Sequence, residues 1–118
     1  VIDEDSMHSM VVALRERRNK ERVARICLAA SKGDIELVSK LLQAHESSKG
    51  VNVRDNDKRT PLHLAASEGF IKLVQFLLEM GADPSLKDRF GCTPLDDALR
   101  HEHVEVIDLL VSRGASLR

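Results

Sequence analysis

Apolar residues recur through the chain at the three- and four-residue intervals that place them on one face of a helix. In the best-defined stretch, a single glycine, Gly69, separates two apolar groups. The first group is Leu62, Ala65 and Ala66, and the second is Ile71, Val74, Leu77 and Leu78. The pattern therefore predicts a short helix, a tight turn with φ > 0 at the glycine, and a second helix that ends at Gly81.

The residues around these helices carry signals of their own. Thr60 is of a residue type favoured at the helix N-cap. Pro61 suits the first helical position, because the backbone N–H that proline lacks has no intrahelical acceptor there. Residues 82–90 contain Asp, Pro and Ser, which is typical of an extended loop. One unit is therefore a helix pair with a projecting loop. Because two short helices cannot bury their own apolar faces, such units must stack.

The same unit recurs along the chain. A shift of 33 residues superposes the Thr-Pro-Leu of residues 60–62 on that of residues 93–95 without a gap. Upstream, a shift of 36 residues places Gly33 on Gly69, and the extra residues fall in the polar segment Gln43–Lys49, which predicts a lengthened loop. A fixed period with this many shared positions indicates a repeat architecture.

Residues 60–66 read Thr-Pro-Leu-His-Leu-Ala-Ala, and with Gly69 and the Leu-Leu-Glu-Met-Gly-Ala-Asp of residues 77–83 they resemble the ankyrin repeat. The resemblance covers residues 24–118 and implies an all-α fold, an ankyrin-repeat solenoid of stacked helix-turn-helix units with projecting loops. The expected repeats are residues 24–54, 55–87 and 88–118, approximately.

Two segments, Leu28–Asp34 and Lys87–Leu99, are also similar to the short ankyrin segments of kidney-type glutaminases, some plant kinases and potassium channels. The family resemblance implies a non-catalytic module that binds a protein partner, either another chain or part of a larger parent chain. The second resemblance leaves an alternative open, a regulatory or oligomerisation appendage of a larger enzyme or channel.

Three sites depart from the repeat pattern. Lys58 stands where the loop usually has glycine, Glu102 replaces the turn glycine, and Asp96 and Asp97 replace a His-Leu pair. We expect the two aspartates to act as first-turn acids that favour the helix dipole. The more polar third unit is expected to present an exposed outer face, as a capping repeat requires.

Residues 1–23 match no repeat and form an N-terminal amphipathic and basic helix or linker. Its apolar residues follow helical spacing: Met7, Met10, Val11 and Leu14. Residues 15–22 carry five positive and two negative charges. The chain continues either as one long helix into the first repeat or as two helices with a break near Asn19.

We expect the apolar face of this segment to cover the end of the repeat stack or to belong to the tail of a preceding domain. The alternatives are self-association through the helix, and a basic helix that binds anionic lipid, nucleic acid or calmodulin. Two glutamates, Glu16 and Glu21, dilute the positive charge, and no aromatic residue accompanies it.

Composition narrows the function classes. The chain has 118 residues with 18 Lys and Arg against 19 Asp and Glu, so no global basic field holds nucleic acid. Its apolar runs are too short to insert into a membrane. Cys27 and Cys92 stand far apart and outside any metal-binding cluster, which is typical of free thiols in an intracellular, cytoplasmic protein. A first residue other than Met suggests a fragment of a longer protein.

The sequence predicts no enzyme, no metal and no cofactor. It has no glycine-rich phosphate loop and no G-x-S-x-G motif. The family resemblance implies that His63 bonds the loop backbone between repeats. His101 and His103 are two positions apart, so on a helix they cannot easily share a metal. Neither cysteine has a base nearby in sequence that would activate it as a nucleophile.

The remaining candidate for function is a binding surface. In the ankyrin family, partners usually lie in the concave groove formed by the loop tips and the first helix of each unit. The resemblance places the partner-binding positions at Ser31, Lys32, Asn56, Asp57, Arg59, Ser67, Glu68, Arg89, Phe90, Cys92, Arg100 and His101. Phe90 lies on a loop tip beside Arg89, which makes it a candidate hot spot. The alternative for Phe90 is packing against an adjacent loop.

Overall fold

The computed structural model describes residues 4–43 and 48–115 and contains six α-helices and no strand in those ranges. The helices form three stacked pairs. The first pair is α1 (Glu4–Ser31) and α2 (Ile35–Gln43), followed by a 3₁₀-helix (Ser48–Asn52). The second pair is α3 (Pro61–Glu68) and α4 (Ile71–Glu79), and the third is α5 (Pro94–Arg100) and α6 (Val104–Ser112). Four residues of the predicted lengthened loop lie outside the described residues.

Equivalent helices α3 and α5 begin in the same way. The Thr60 hydroxyl accepts the backbone N–H of His63, and His63 Nδ1 accepts the Thr60 N–H at 3.1 Å. Thr93 and Asp96 form the same reciprocal pair at the start of α5. Each cap satisfies two donors that the first turn leaves without an intrahelical partner. The predicted caps are confirmed, and so is the first-turn role of Asp96.

The turn between the two helices of each pair has a positive φ. The angle is 71° at Gly33, 78° at Gly69 and 58° at Glu102. The predicted glycine turn is confirmed at Gly69. Glu102 adopts the same left-handed conformation, in which the Cβ of an L-residue crowds the following carbonyl oxygen. The third repeat therefore keeps the turn geometry and stores backbone strain in it.

The core runs as one layer through the stack. Its fully buried members include Leu62, Ala65 and Ala66 of α3 and Leu73, Val74 and Leu77 of α4. The small alanines let α1 and α5 approach α3 closely from its two sides. The predicted apolar faces are therefore the ones that the stack buries.

α1 is a single helix of 28 residues with no break near Asn19. Only its C-terminal part, with Ile26, Cys27, Ala29 and Ala30, is buried. The rest projects and gives the molecule its longest dimension, 61 Å. The predicted apolar face of residues 7–14 is exposed at all four positions. The prediction that it covers the end of the repeat stack is therefore wrong. No helix in the described ranges has the length and apolar character to cross a membrane.

Candidate interaction surface

Two aspartates at equivalent repeat positions organise the loop tips. The Oδ1 atom of Asp55 accepts backbone N–H groups from the residues two and four positions further on, at 2.9 and 3.0 Å. Asp88 Oδ1 makes the same pair of bonds in the next loop, at 2.9 and 3.0 Å. Each aspartate thereby closes its loop locally, which fixes the residues that project from it.

The two loop tips are joined to each other. The backbone N–H of Arg89 donates to the carbonyl oxygen of Asp57 at 2.8 Å. The Arg89 guanidinium also donates to the Asp57 carboxylate, with Nη1 and Oδ1 3.3 Å apart. Both side chains are about half exposed, so this ion pair contributes little to stability. It aligns the tips of the second and third repeats in one row.

Phe90 extends from the third-repeat loop into solvent. Its side chain is 71% exposed, so it does not pack against an adjacent loop. The guanidinium carbon of Arg89 lies 5.3 Å from the Phe90 ring centroid, within the range of a cation–π contact. The structure thus holds a large apolar ring and a positive charge side by side on an exposed tip.

The other predicted positions are divided between exposed and partly covered side chains. Beside Arg89 and Phe90, the exposed ones are Lys32, Asn56, Glu68, Arg100 and His101. The partly covered ones are Ser31, Asp57, Arg59, Ser67 and Cys92. Arg100 and Cys92 are brought together, with Nη2 3.1 Å from Sγ. Ser31 donates its hydroxyl to the Leu28 carbonyl in its own helix at 2.7 Å.

Arg59 is bound within the protein by two carboxylates. Its guanidinium lies 3.2 Å from Asp88 and 3.0 Å from Asp97, and only 18% of its side chain is exposed. Asp97 itself is fully buried. Asp97 does lie in the first turn of α5, as the sequence predicts. The helix dipole is not its whole explanation, because its buried carboxylate also pairs with Arg59.

Burial and hydrogen bonding shift the pKa values of the two carboxylates in opposite directions. Burial raises the pKa of Asp97, and the nearby Arg59 charge only partly offsets it. Burial would also raise the pKa of Asp88. There, however, the backbone N–H groups of Cys92 and Phe90, together with the Arg59 charge, stabilise the anion and lower the pKa.

His63 joins the second and third repeats, as the family resemblance implied. Its Nδ1 accepts the Thr60 N–H, so the neutral ring carries its hydrogen on Nε2 and donates it to the Cys92 carbonyl oxygen at 2.8 Å. The ring is fully buried. Burial lowers the His63 pKa, because a charged imidazole would lose its hydration and its acceptor at Nδ1.

His63, Asp88 and Asp97 each place a ligand atom within 4.8 Å of the others. Such a set has the donor chemistry of a metal site. However, the Arg59 guanidinium already binds both carboxylates, and both nitrogens of His63 have hydrogen-bond partners. A metal ion would have to displace Arg59. The cluster is therefore an ion-paired network between repeats.

The two cysteines are free and differ in accessibility. Cys27 is buried, and this burial, with the nearby Asp55 charge, raises the pKa of its thiol to about 12. A thiol that stays protonated at neutral pH is a poor nucleophile. Cys92 is partly exposed at the loop tip.

Sequence reasoning missed the Arg59–Asp97 pair. A signal for it was present, since Asp97 stands at the repeat position that Leu64 occupies in the second unit. A charged residue at a position where another repeat has leucine calls for a buried counter-charge. The repeat pattern alone did not say which basic residue supplies it.

Three helix pairs stacked side by side, with turns of equal geometry and loop tips in a row, define a helical repeat protein of the solenoid type. The family model described as "Ankyrin repeats (3 copies)" matches residues 26–118. The chain therefore belongs to the ankyrin-repeat family. Ankyrin repeats are generally non-catalytic modules of protein interaction.

Its relatives are larger proteins. The chain is 36% identical to serine/threonine-protein kinase 12 of Arabidopsis thaliana over 97% of its own length and 24% of the kinase. It is 45% identical to the mitochondrial liver isoform of glutaminase from Mus musculus, over 80% of the chain and 15% of the glutaminase. It is 45% identical to the potassium channel SKOR of Arabidopsis thaliana, over 72% of the chain and 10% of the channel. The chain thus spans a quarter or less of these relatives.

Proposed function

We propose that the chain binds a protein partner through the concave surface formed by its loop tips and inner helices α3 and α5. The exposed Phe90 ring, held beside the Arg89 guanidinium at 5.3 Å, carries the proposal. Aromatic and arginine side chains are enriched at protein interfaces and among the residues that contribute most to binding. The other predicted positions, from Lys32 to His101, surround this pair as the rim of the surface.

The loop architecture supports Phe90 as the anchor. Asp88 fixes the backbone on both sides of it, and the bond from Arg89 to Asp57 fixes the tip against its neighbour. A side chain presented by an ordered loop loses little conformational freedom when it binds. Three repeats offer a short groove, so we expect about 600–1,000 Å² of buried surface and a weak or transient complex.

The test is a capture experiment with a matched control. Immobilised wild-type chain, Phe90→Ala and Val104→Ala are exposed to an extract of the source organism, and the retained proteins are compared. Val104 is 64% exposed on α6, away from the loop tips. We expect specific partners to be retained by the wild type and by Val104→Ala, and to bind Phe90→Ala about tenfold more weakly. Partners that are lost only with Val104→Ala would assign binding to another face.

A second function, a regulatory or oligomerisation appendage of a larger enzyme or channel, is favoured by the relatives. Each of them is a kinase, glutaminase or channel of which this chain covers only a part. Low affinity suffices there, because a tethered partner has a high effective concentration. Loss of the captured partners with Phe90→Ala favours the adaptor, whereas a chain that associates but captures no partner through Phe90 favours the appendage. Either role is consistent with an intracellular protein.

A further inference from the structure

The side of α1 opposite its buried residues carries a continuous row of heptad positions. We call this row the α1 seam; it consists of Met7, Met10, Leu14, Arg17, Glu21, Ala24 and Leu28. Every one of these residues is exposed. The seam is apolar towards both ends and charged only in the middle, where Arg17 Nε lies 3.8 Å from Glu21 Oε1. Heptad spacing of this kind keeps one helix face towards a partner helix.

A groove of about 230 Å³ continues the seam onto the repeat stack. We call it the end groove; it lies between α1 and α2 and is lined by Leu28, Ala29, Leu37 and Leu41, with Arg25, Lys32 and Asp34 at its rim. Leu37 is 43% exposed there. Its equivalent in the second repeat, Leu73, is fully buried on α4, which packs between α2 and α6. The end groove is thus a stacking face that nothing in the described residues covers.

The path of α1 argues against a preceding repeat as the cover. The loops that lead into α3 and α5 end at Thr60 and Thr93, directly before a short helix. In front of the first repeat the chain is instead helical from Glu4 onwards. Twenty helical residues carry it about 30 Å away from the stack. A repeat connected in the usual way has no short route back to the end groove.

We propose that a second copy of this chain covers the seam and the end groove, with the two α1 helices packed antiparallel about a two-fold axis near Asn19. In this register Met10 faces Leu28 of the other copy, and Leu14 faces its Ala24. Because the interface is isologous, each contact occurs twice. The residues around Met7 and Met10 then lie in the end groove of the other copy.

Charge selects this arrangement over a parallel one. In the antiparallel register Arg17 of each copy faces Glu21 of the other, so the charged centre of the seam is paired across the interface. The acidic start of α1 comes to lie at the rim of the end groove, which carries both the positive Lys32 and the negative Asp34, so the central pair decides the orientation. A parallel pair would set Arg17 against Arg17 and leave both end grooves open. Complementary charges of this kind fix the orientation of paired helices.

The first experiment measures the mass of the whole chain by sedimentation velocity at micromolar concentrations. We expect twice the monomer mass of 13.2 kDa. Met10→Glu and Leu28→Glu, at opposite ends of the seam, are each expected to give a monomer with unchanged helix content by circular dichroism. His8→Glu is the matched control, since His8 is exposed on α1 but outside the seam. It is expected to remain a dimer.

The second experiment tests the antiparallel register by charge reversal. Arg17→Glu sets acidic groups opposite each other and Glu21→Arg sets basic groups opposite each other, so each variant alone is expected to associate at least tenfold more weakly. An equimolar mixture of the two is expected to associate again, since opposite charges then meet at both contacts. Arg15→Glu, which makes the same charge change outside the seam, is expected to behave like the wild type.

Several outcomes would overturn the proposal. These are a monomeric wild-type chain, a dimer that survives Leu28→Glu, or a mixture of the two reversed variants that stays monomeric. Binding of a monomeric chain to phosphatidylserine vesicles, lost with Met10→Glu, would assign the seam to a membrane surface. Phe90 lies outside the seam and the end groove, so Phe90→Ala is expected to leave the dimer intact. The test of the dimer is therefore independent of the test of partner binding at the loop tips.

Discussion

The two boundaries between consecutive repeats are built from equivalent positions with different chemistry. The first boundary packs α3 and α4 against α1 and α2, and the second packs α5 and α6 against α3 and α4. Where the first has the buried thiol of Cys27, the second has the His63 imidazole with its hydrogen bonds. The second also contains the Arg59–Asp97 ion pair. Both boundaries nevertheless belong to one continuous stack, so polarity at these positions does not determine whether repeats stack.

What the boundaries share is a close contact between a glycine and a ring. At the first, a Cβ on Gly33 would lie 3.1 Å from the Phe70 ring, and at the second a Cβ on Gly69 would lie 2.6 Å from His103 Nδ1. Both rings come from the start of the second helix of the following repeat. His103 also bonds the Ser67 carbonyl oxygen at 2.9 Å. Both boundaries therefore require a turn residue without a Cβ, so that a ring can pack closely against it. The ring itself can be apolar or polar.

The largest effect is predicted for a substitution that removes the positive charge of Arg59 at the second boundary. Arg59→Met leaves the buried Asp97 carboxylate without its main counter-charge, so we expect the free energy of unfolding to fall by about 3 kcal/mol. Urea unfolding followed by circular dichroism measures it. Lys72→Met, an exposed lysine on α4, is the control and is expected to stay within about 0.5 kcal/mol of the wild type.

The double variant Arg59→Met with Asp97→Leu sharpens this result. The second repeat has Leu64 at the position of Asp97, so an apolar residue fits the repeat there. Replacing a buried ion pair by apolar residues is often neutral or stabilising, and we expect the double variant to recover most of the lost stability. If it were as unstable as Arg59→Met, the loss would come from packing of the arginine rather than from an unpaired charge.

A smaller effect is predicted for the glycine turns. Gly69→Ala forces a left-handed conformation on alanine, at about 1–2 kcal/mol, and adds the clash with the His103 ring. We expect a total loss of about 3 kcal/mol at most, with less at Gly33 because the Phe70 ring is further away. Gly114→Ala, where φ is 94° and no atom of residues 4–43 or 48–115 lies within 4 Å of the new Cβ, isolates the backbone contribution. Equal losses at Gly69 and Gly114 would show that the ring contact costs nothing.

The sequence predicted the local features of both boundaries. The caps at Thr60 and Thr93 and the turn at Gly69 depend on residues within three or four positions of one another, so their spacing is sufficient. The Arg59–Asp97 pair joins residues 38 positions apart, and no local pattern specifies it. For α1, helical spacing identified an apolar face at residues 7–14, but the identity of whatever covers that face is not encoded in the spacing.

The two boundaries are also expected to respond to opposite changes in pH. Burial lowers the pKa of His63 in the folded chain, so below its ordinary value of about 6.5 the unfolded chain binds more protons and stability falls. The pKa of Cys27 is raised from 9.0 to about 12, so stability falls as pH rises above 9. Asp97, with a raised pKa, acts against His63 because its protonation favours the folded state.

Denaturant unfolding as a function of pH separates these contributions. We expect His63→Gln to flatten the decline below pH 6.5 while leaving the alkaline limb unchanged. Cys27→Ala is expected to flatten the alkaline limb and leave the acidic one unchanged. Comparing slopes with pH, rather than absolute stabilities, removes the packing cost of each substitution. An acidic decline that persists fully in His63→Gln would mean that other groups cause it.

The smallest effect is predicted at the turn of the third repeat, which is the last repeat in the described part of the chain. Glu102 occupies the turn position of Gly33 and Gly69 with φ of 58°, so Glu102→Gly removes the left-handed strain of an L-residue. The greater freedom of glycine in the unfolded chain offsets part of the gain, and we expect a net stabilisation of about 0.5–1 kcal/mol. Glu102→Ala keeps the Cβ and is expected to leave stability almost unchanged. Glycine is thus expected to stabilise the turn at residue 102, whereas alanine is expected to destabilise the equivalent turn at Gly69. If Glu102→Gly were less stable than the wild type, the glutamate side chain would have to make a compensating contact.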